Sequence, residues 1–128
     1  MTLRTKFVER NTRPMVVAEM SSNHKQSFER ALKIVEVAAD AGVDAIKIQT
    51  YRPDTITMDV SSEQFTIRDR GNPWFGRRLH DLYSTSYTPW EWTEAIFDVA
   101  KRSGILAFST PFDESAVNYL EEHDPPCY

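Results

Sequence analysis

The sequence is poor in cysteine and glycine, and each shortage excludes a class of protein. Its 128 residues include a single cysteine, Cys127, so neither an intrachain disulfide nor a cysteine-based metal cluster can form. The four glycines do not form a phosphate-binding loop, which argues against nucleotide binding by that route. Disulfides are rare in reducing compartments, and we therefore expect a cytoplasmic protein.

Long apolar runs and an excess of positive charge are also missing. No apolar stretch approaches membrane-spanning length, and the basic residues within 1–6 precede no apolar segment. We therefore expect neither a membrane protein nor a secretion signal. A formal net charge of −4 argues against nucleic-acid binding. The composition, with 41% hydrophobic residues, is instead that of a folded globular domain.

Strands and helices alternate along the sequence. Short apolar runs predict buried strands at 15–19, 44–49 and 105–108, and residues 125–128 are predicted to begin a fourth. Helical spacing predicts helices after the first strand and on both sides of the third. Such alternation requires parallel strands joined by right-handed crossovers. It therefore predicts an α/β fold whose site lies at the C-terminal ends of the strands.

Three helices are predicted from their capping residues and apolar spacing. Ser27 and Asp113 are the predicted N-caps of the first and last helices, and Thr88 begins a predicted capping box for the middle one. Phe112 and Leu120, around the last helix, are predicted to lie in the core.

Residues 51–87 are predicted to form a long loop, because turn-forming residues replace the periodic pattern there. Only residues 79–84 have the pattern of a short helix. A loop of this length inside a compact domain is usually a lid or a binding loop. Trp74 within it could stack against a sugar ring, although a tryptophan is more often a packing residue.

Polar side chains lie at the C-terminal ends of the three predicted strands. They are a carboxylate, an amine, an amide and two hydroxyls, provided by Glu19, Lys47, Gln49, Ser109 and Thr110. Because the C-terminal ends of parallel strands meet at one edge of a sheet, these groups predict a ligand site there.

Lys47 has several possible roles in the middle of a strand. It could lie on an edge strand and discourage aggregation, or form a purely structural ion pair with Glu19. As a functional group it could bind a phosphate or a carboxylate, or form a Schiff base if burial deprotonated it. Glu19 could act as a general base, or orient a hydroxyl or a water molecule.

The histidines do not show a metal-binding pattern. His24, His80 and His123 are far apart in the sequence, without the spacing of a metal site. His24 could be a metal ligand or a proton shuttle, but a single loop histidine is more often a hydrogen-bonding scaffold residue.

Five segments, in order along the chain, resemble the sialic acid synthase family. Three of them include the predicted strand ends: residues 17–24 (VAEMSSNH), 47–51 (KIQTY) and 108–113 (FSTPFD). Two others, 51–57 (YRPDTIT) and 87–92 (YTPWEW), look most like the pseudaminic acid synthase branch of that family.

The resemblance implies an aldolase-type TIM (β/α)8 barrel. Residues 15–128 would supply its N-terminal part, about three and a half strand–helix units, behind a lead-in segment at 1–14. The family enzyme would be a C–C bond-forming transferase that condenses phosphoenolpyruvate with an acylated amino sugar and releases phosphate. The resemblance also implies a divalent metal such as manganese, with its ligands outside this chain, and a homodimer at full length. We expect the fragment alone to be inactive.

The same resemblance implies roles for individual residues. Lys47 would bind the phosphate of phosphoenolpyruvate, and Thr110 would bind its carboxylate. Glu19 would be the catalytic acid or base, and Asn23 and Gln49 would lie near the acceptor sugar, as would the long loop.

The sequence also departs from the family pattern, and two other interpretations remain open. Lys25 and Gln26 stand where the family usually has a glycine, and the chain ends one residue before a second lysine that the family uses. One alternative is a barrel enzyme that forms a Schiff base at Lys47. The other is a small α/β binding module without catalysis.

Overall fold

A parallel sheet of three strands forms the centre of the structure, a computed structural model that describes residues 13–128. The strands are β1 (Val17–Glu19), β2 (Ala45–Thr50) and β3 (Leu106–Pro111), in the spatial order β1-β2-β3. Both neighbouring pairs are parallel, which confirms the predicted α/β class. All but the last two residues of the predicted lead-in segment 1–14 fall outside the described residues.

Helices connect and follow the strands. Within residues 13–128 the α-helices are α1 (Phe28–Asp40), α2 (Pro53–Ile56), α3 (Leu79–Ser84), α4 (Thr93–Arg102) and α5 (Glu114–Glu121). Short 3-10 turns occur at Ser21–His24, Glu63–Phe65 and Trp90–Trp92. In this part of the chain no helix is long and apolar enough to cross a membrane.

The predicted ends of two helices are confirmed. The Ser27 side chain accepts a hydrogen bond from the Arg30 backbone amide and caps α1, while Asp113 accepts one from Ala116 and caps α5. Gly42, just past the end of α1, has a φ of +82°, which glycine adopts without a steric penalty.

The hydrophobic core lies between one face of the sheet and helices α1 and α4. β2 contributes Ile46 and Ile48, which are 0% and 1% exposed. The helices contribute small and branched side chains, namely Ala31, Val35, Ala38, Ile96, Val99 and Ala100. Since successive strand residues point to opposite faces, Lys47 and Gln49 lie on the face away from these helices.

The sequence predicts a buried first strand, but β1 is a partly exposed edge strand. Val16 and Val17 are 48% and 39% exposed, because within the described residues β1 pairs only with β2. β2 is the central strand, so the interpretation of Lys47 as an edge-strand residue is wrong.

The capping box predicted at Thr88 does not form. The Trp90–Trp92 turn precedes α4, which begins at Thr93, so Thr88 lies too far upstream to cap it. The Thr88 side chain is buried, and its hydroxyl lies 3.2 Å from Nε2 of His24. This threonine therefore makes a tertiary contact with the loop that follows β1.

Phe112 and the C-terminal residues also differ from the prediction. Phe112 is 45% exposed and makes an edge-to-face contact with Tyr51, with ring centroids 5.5 Å apart. The Phe112 amide donates to the Thr50 carbonyl at 3.2 Å just past the end of β3, but the half-exposed side chain does not enter the core. Residues 125–128 form no strand in the structure.

Residues 51–87 are more ordered than the sequence predicts. The predicted helix at 79–84 is confirmed as α3, whereas α2 was not predicted. An antiparallel bridge joins Thr66 to Arg78 near the middle of the segment. We call residues 51–87 the long segment.

Leu120→Ala should destabilise the fold by about 2–5 kcal/mol, because Leu120 is fully buried and the substitution leaves a cavity. Phe112→Ala is the matched control, since its half-exposed ring should cost much less. Urea denaturation followed by circular dichroism measures both changes. Equal destabilisation by the two variants would contradict the packing of α5.

Candidate functional site

The face of the sheet opposite the helices carries four of the five polar side chains that the sequence predicts at the strand ends. The strand register pairs Glu19 with Lys47, and Gln49 with Thr110. Residues that are paired across parallel strands point to the same side of the sheet, and Lys47 and Gln49 share a face of β2. A carboxylate, an amine, an amide and a hydroxyl therefore lie together, and we call them the polar face.

Glu19 and Lys47 form an ion pair at the end of β1. The distance from Lys47 Nζ to Glu19 Oε2 is 2.9 Å, and about a third of each side chain is exposed. The other carboxylate oxygen, Oε1, accepts hydrogen bonds from the Ser21 amide at 3.3 Å and the Ser21 hydroxyl at 3.4 Å. Both charged groups are thus oriented while remaining accessible to a ligand.

Ser109 does not belong to the polar face. Its side chain points towards the helices, is fully buried and lies 2.6 Å from the Thr50 hydroxyl. It also donates a hydrogen bond to the Ile48 carbonyl at 3.2 Å. Ser109 therefore joins β2 to β3 within the core, and Thr110, partly exposed on the opposite face, is the hydroxyl available at this strand end.

Asn23 lies in the Ser21–His24 turn that follows β1. Its side-chain amide donates to the Met20 carbonyl at 2.9 Å, and the residue is exposed. The Met20 amide in turn donates to the Lys47 carbonyl at 2.9 Å. This turn is thus joined directly to the strand that carries Lys47.

His24 is a scaffold residue, as its loop position suggested, and its ring is not available to a metal. It is fully buried, and both ring nitrogens have hydrogen-bond partners within the protein. His80 bonds to Asp54 at 2.8 Å, and His123 packs against Tyr119. Across residues 13–128, no group of three or more histidine, cysteine or acidic residues could hold a metal.

The long segment contains an open groove, away from the residues of the polar face. Its volume is about 650 Å³, and its lining includes Phe75 and three arginines. Arg78 pairs with Asp59 and Asp81, and it lowers the pKa of the Asp81 carboxyl by hydrogen bonding. Arg68 pairs with Glu63. Two of the three arginines at this groove are therefore paired with carboxylates.

An aromatic cluster at the rim, which sequence reasoning missed, holds the long segment to the sheet. Trp90 donates from its indole nitrogen to the Tyr51 carbonyl at 3.0 Å, and its ring packs on Tyr119. Arg52 lies over the Trp90 ring, 4.1 Å from its centroid. Burial raises the pKa of the Tyr51 phenol. The aromatic residues near positions 51 and 90 are visible in the sequence. A single sequence does not show that Tyr51 and Trp90, 39 positions apart, are in contact.

Comparison with known proteins identifies close sequence relatives of this chain. It is 46% identical over 113 residues to a pseudaminic acid synthase from Campylobacter jejuni. The aligned region covers 88% of this chain and 32% of that protein. It is 34% identical over 115 residues to a pseudaminic acid synthase from Helicobacter pylori, covering 90% and 33% respectively. The chain therefore spans about a third of the length of the curated relatives that it matches.

The fold and a family model agree with these relatives. A crystal structure of a sialic acid synthetase from Leptospira borgpetersenii superposes with a TM-score of 0.64 at 25% identity, over 88% of this chain and 34% of the other. The architecture is thus that of the N-terminal part of a sialic acid synthase barrel. The model of the NeuB family matches residues 34–128. The chain belongs to the NeuB family.

Proposed function

We propose that these residues are the N-terminal part of a nonulosonic acid synthase, of the pseudaminic acid synthase type. The full-length enzyme condenses phosphoenolpyruvate with an acylated amino sugar, forming a C–C bond and releasing phosphate. The observation that carries the proposal is the Glu19–Lys47 ion pair on the polar face, in a chain 46% identical to a pseudaminic acid synthase. Residues 15–128 are the barrel portion in this proposal.

Lys47 binds the phosphate of phosphoenolpyruvate in the proposed site, and Thr110 binds its carboxylate. An ammonium group on a flexible stem suits a phosphate, and Lys47 stands on the central strand where its position is fixed by neighbours on both sides. Thr110 lies one strand away on the same face, paired in register with Gln49. Hydroxyl and ammonium groups can therefore contact two ends of one small anion.

Glu19 is the proposed acid or base at the reacting centre. Its two oxygens contact different groups, Lys47 on one side and Ser21 on the other, which fixes the plane of the carboxylate. A carboxylate held in this way can exchange a proton with a substrate oxygen or a water molecule. Gln49 and Asn23 lie near the acceptor sugar in this proposal, with the long segment beside them.

The ion pair argues against the alternative in which Lys47 forms a Schiff base. A Schiff base requires an amine that is free to attack a carbonyl, and Nζ of Lys47 is instead held 2.9 Å from Oε2 of Glu19. Borohydride treatment of the full-length protein with a carbonyl substrate should therefore give no covalent adduct on Lys47. Mass spectrometry of the tryptic peptide checks this, and a trapped adduct would support the aldolase alternative.

A divalent metal such as manganese and a homodimeric assembly belong to the proposed full-length enzyme. The described residues do not fit the metal, since residues 13–128 lack a suitable ligand group. The chemistry assigned to this chain is therefore limited to binding, orientation and proton transfer. The proposal also includes a cytoplasmic location. Its small-molecule substrates are phosphoenolpyruvate and the acylated amino sugar.

A phosphate-release assay tests the proposed function. The full-length protein is incubated with phosphoenolpyruvate, manganese and an acylated amino sugar, with the products analysed by mass spectrometry. We expect phosphate release that requires both substrates and a product containing the carbons of both. Phosphate release without the sugar, or no release with any sugar that the Campylobacter jejuni relative accepts, would contradict the proposal.

Glu19→Gln should separate binding from reaction in that enzyme. The amide keeps the shape and the hydrogen-bonding oxygen but cannot exchange a proton, so turnover should fall about 10²–10⁴-fold. Phosphoenolpyruvate binding, measured by calorimetry, should remain because Lys47 and Thr110 are intact. Glu36→Gln, at an exposed pair with Lys33 on α1, is the matched control. Unchanged turnover in Glu19→Gln would remove Glu19 from the mechanism.

A further inference from the structure

His24 lies where the turn after β1 meets the end of the long segment. Its ring is fully buried and makes one hydrogen bond within the turn and one outside it. Nδ1 lies 3.1 Å from the Gln26 amide nitrogen, and Nε2 lies 3.2 Å from the Thr88 hydroxyl. The edge-to-face contact with Trp92, at 5.5 Å between centroids, fixes the plane of the ring.

These two contacts determine the protonation state of the ring. A backbone amide can only donate, so Nδ1 of His24 must accept and carries no proton. In the neutral ring the proton is then on Nε2, which donates to the Thr88 hydroxyl. A protonated imidazolium would place a second N–H against the Gln26 amide, and this contact would be lost.

The turn that His24 holds is strained and needs external support. Ser21, Lys25 and Gln26 have φ values of 45°, 50° and 56°, a region that side chains disfavour. Besides His24, a second contact crosses to the long segment, since Gln26 Nε2 donates to the Tyr87 carbonyl at 2.6 Å. The two links, at Tyr87 and Thr88, hold the strained turn in one conformation.

The other end of the same turn contacts the polar face. Ser21 donates to Glu19 from both its amide and its hydroxyl, and the Met20 amide donates to the Lys47 carbonyl. Four residues therefore separate Glu19 from His24 along the chain, and they comprise Met20, which caps the Ser21–His24 turn, and the first three residues of that turn.

We propose that neutral His24 is a positioning residue, which holds the Glu19 carboxylate in its reactive orientation by linking the turn after β1 to Thr88. This inference rests on the proposed function for the role of Glu19 in turnover. The linkage between His24 and the carboxylate is a separate claim, which can be measured without turnover.

The proposal gives a defined pH dependence. Burial lowers the pKa of His24. The charged side chains on the elements around it are Lys47 on β2, Glu29 and Arg30 on α1 and Glu91 beside Trp92. The neutral ring persists as the pH falls below 6.5 and is lost only near the lowered pKa. The associated stability is complete above 6.5 and declines below it, where the unfolded chain takes up the proton first.

Two variants each retain one half of the His24 contacts. His24→Asn places an oxygen near the position of Nδ1 but cannot reach Thr88, whereas His24→Gln keeps a distal donor but loses the acceptor for Gln26. We expect either variant to reduce kcat of the full-length enzyme by roughly 10²-fold, with a smaller change in KM, because a misplaced carboxylate slows the reaction more than binding. His123→Gln, which follows α5 and lies outside both the polar face and the long segment, is the control and should leave kcat unchanged.

Nuclear magnetic resonance tests the linkage directly in the full-length protein. We expect the ¹⁵N signature of an Nε2–H tautomer at His24 near pH 7. The ¹³C resonance of the Glu19 carboxyl should show a step as His24 titrates, and this step should be absent in His24→Asn. An Nδ1–H tautomer, or a Glu19 step that persists in His24→Asn, would overturn the proposal. A wild-type protein that shows the Nε2–H tautomer and the Glu19 step but has no turnover would instead count against the proposed function.

Discussion

Lys47→Ala should abolish turnover in the full-length enzyme while leaving the fold nearly as stable. Lys47 is the cation of the polar face, and loss of a positioned charge typically costs 10²–10³-fold or more in rate. Its ion pair with Glu19 is about one-third exposed, so the contribution of the pair to stability is at most about 1 kcal/mol. Steady-state phosphate release and urea denaturation measure the two effects separately.

Two further variants distinguish a ligand-binding lysine from a structural one. Lys33→Ala removes an exposed ion pair of similar geometry, with Glu36 at 3.0 Å, and should change neither turnover nor stability appreciably. The double exchange of Glu19→Lys with Lys47→Glu retains an ion pair but reverses its direction. We expect the exchanged protein to fold and to remain inactive. Recovery of activity in it, or unfolding of Lys47→Ala, would make the pair structural.

The 128 residues produced alone should show no synthase turnover and should self-associate. The curated relatives are about three times as long, and these residues match only about a third of their length. Val16 and Val17 are exposed beside the unpaired edge of β1 in the described structure, and such an edge can pair with another chain. Light scattering after size exclusion and a phosphate-release assay measure both properties.

A charge on the edge strand should reduce that association. Val17→Lys should weaken it by about 10-fold or more, since burial of one valine contributes about 1.5–3 kcal/mol. Val37→Lys is the matched control, because Val37 is 53% exposed on α1 and lies outside the sheet. A monomeric wild-type fragment, or equal effects of the two substitutions, would contradict association through β1.

The elements and most of the polar face could be predicted from the sequence, because they depend on local patterns. The short apolar run in residues 44–49 predicts β2, and the alternation of side chains along a strand then places Lys47 and Gln49 on one face. Ser27 and Asp113 have local capping signals, and both were confirmed. The family resemblance, carried by short segments, agrees with the NeuB match.

The remaining features depend on contacts between distant residues. Thr88 carries a strong capping signal, yet its hydroxyl bonds to His24, 64 positions away. Ser109 and Thr110 look equivalent in the sequence, and only the register of β3 places one in the core and the other on the polar face. The edge position of β1 follows from strand order, which a local apolar pattern does not contain.

The register of β2 also restricts how this protein can change during evolution. Inserting or deleting one residue within Ala45–Thr50 would turn Lys47 towards the helices and Ile46 or Ile48 towards the polar face, which would disrupt the core and the polar face together. The long segment is different, because Trp90 and Tyr51 join its two ends at the rim. Its length can vary between these anchors without shifting any strand. We expect related proteins to differ in the length of this segment, while the lengths of the strands stay fixed.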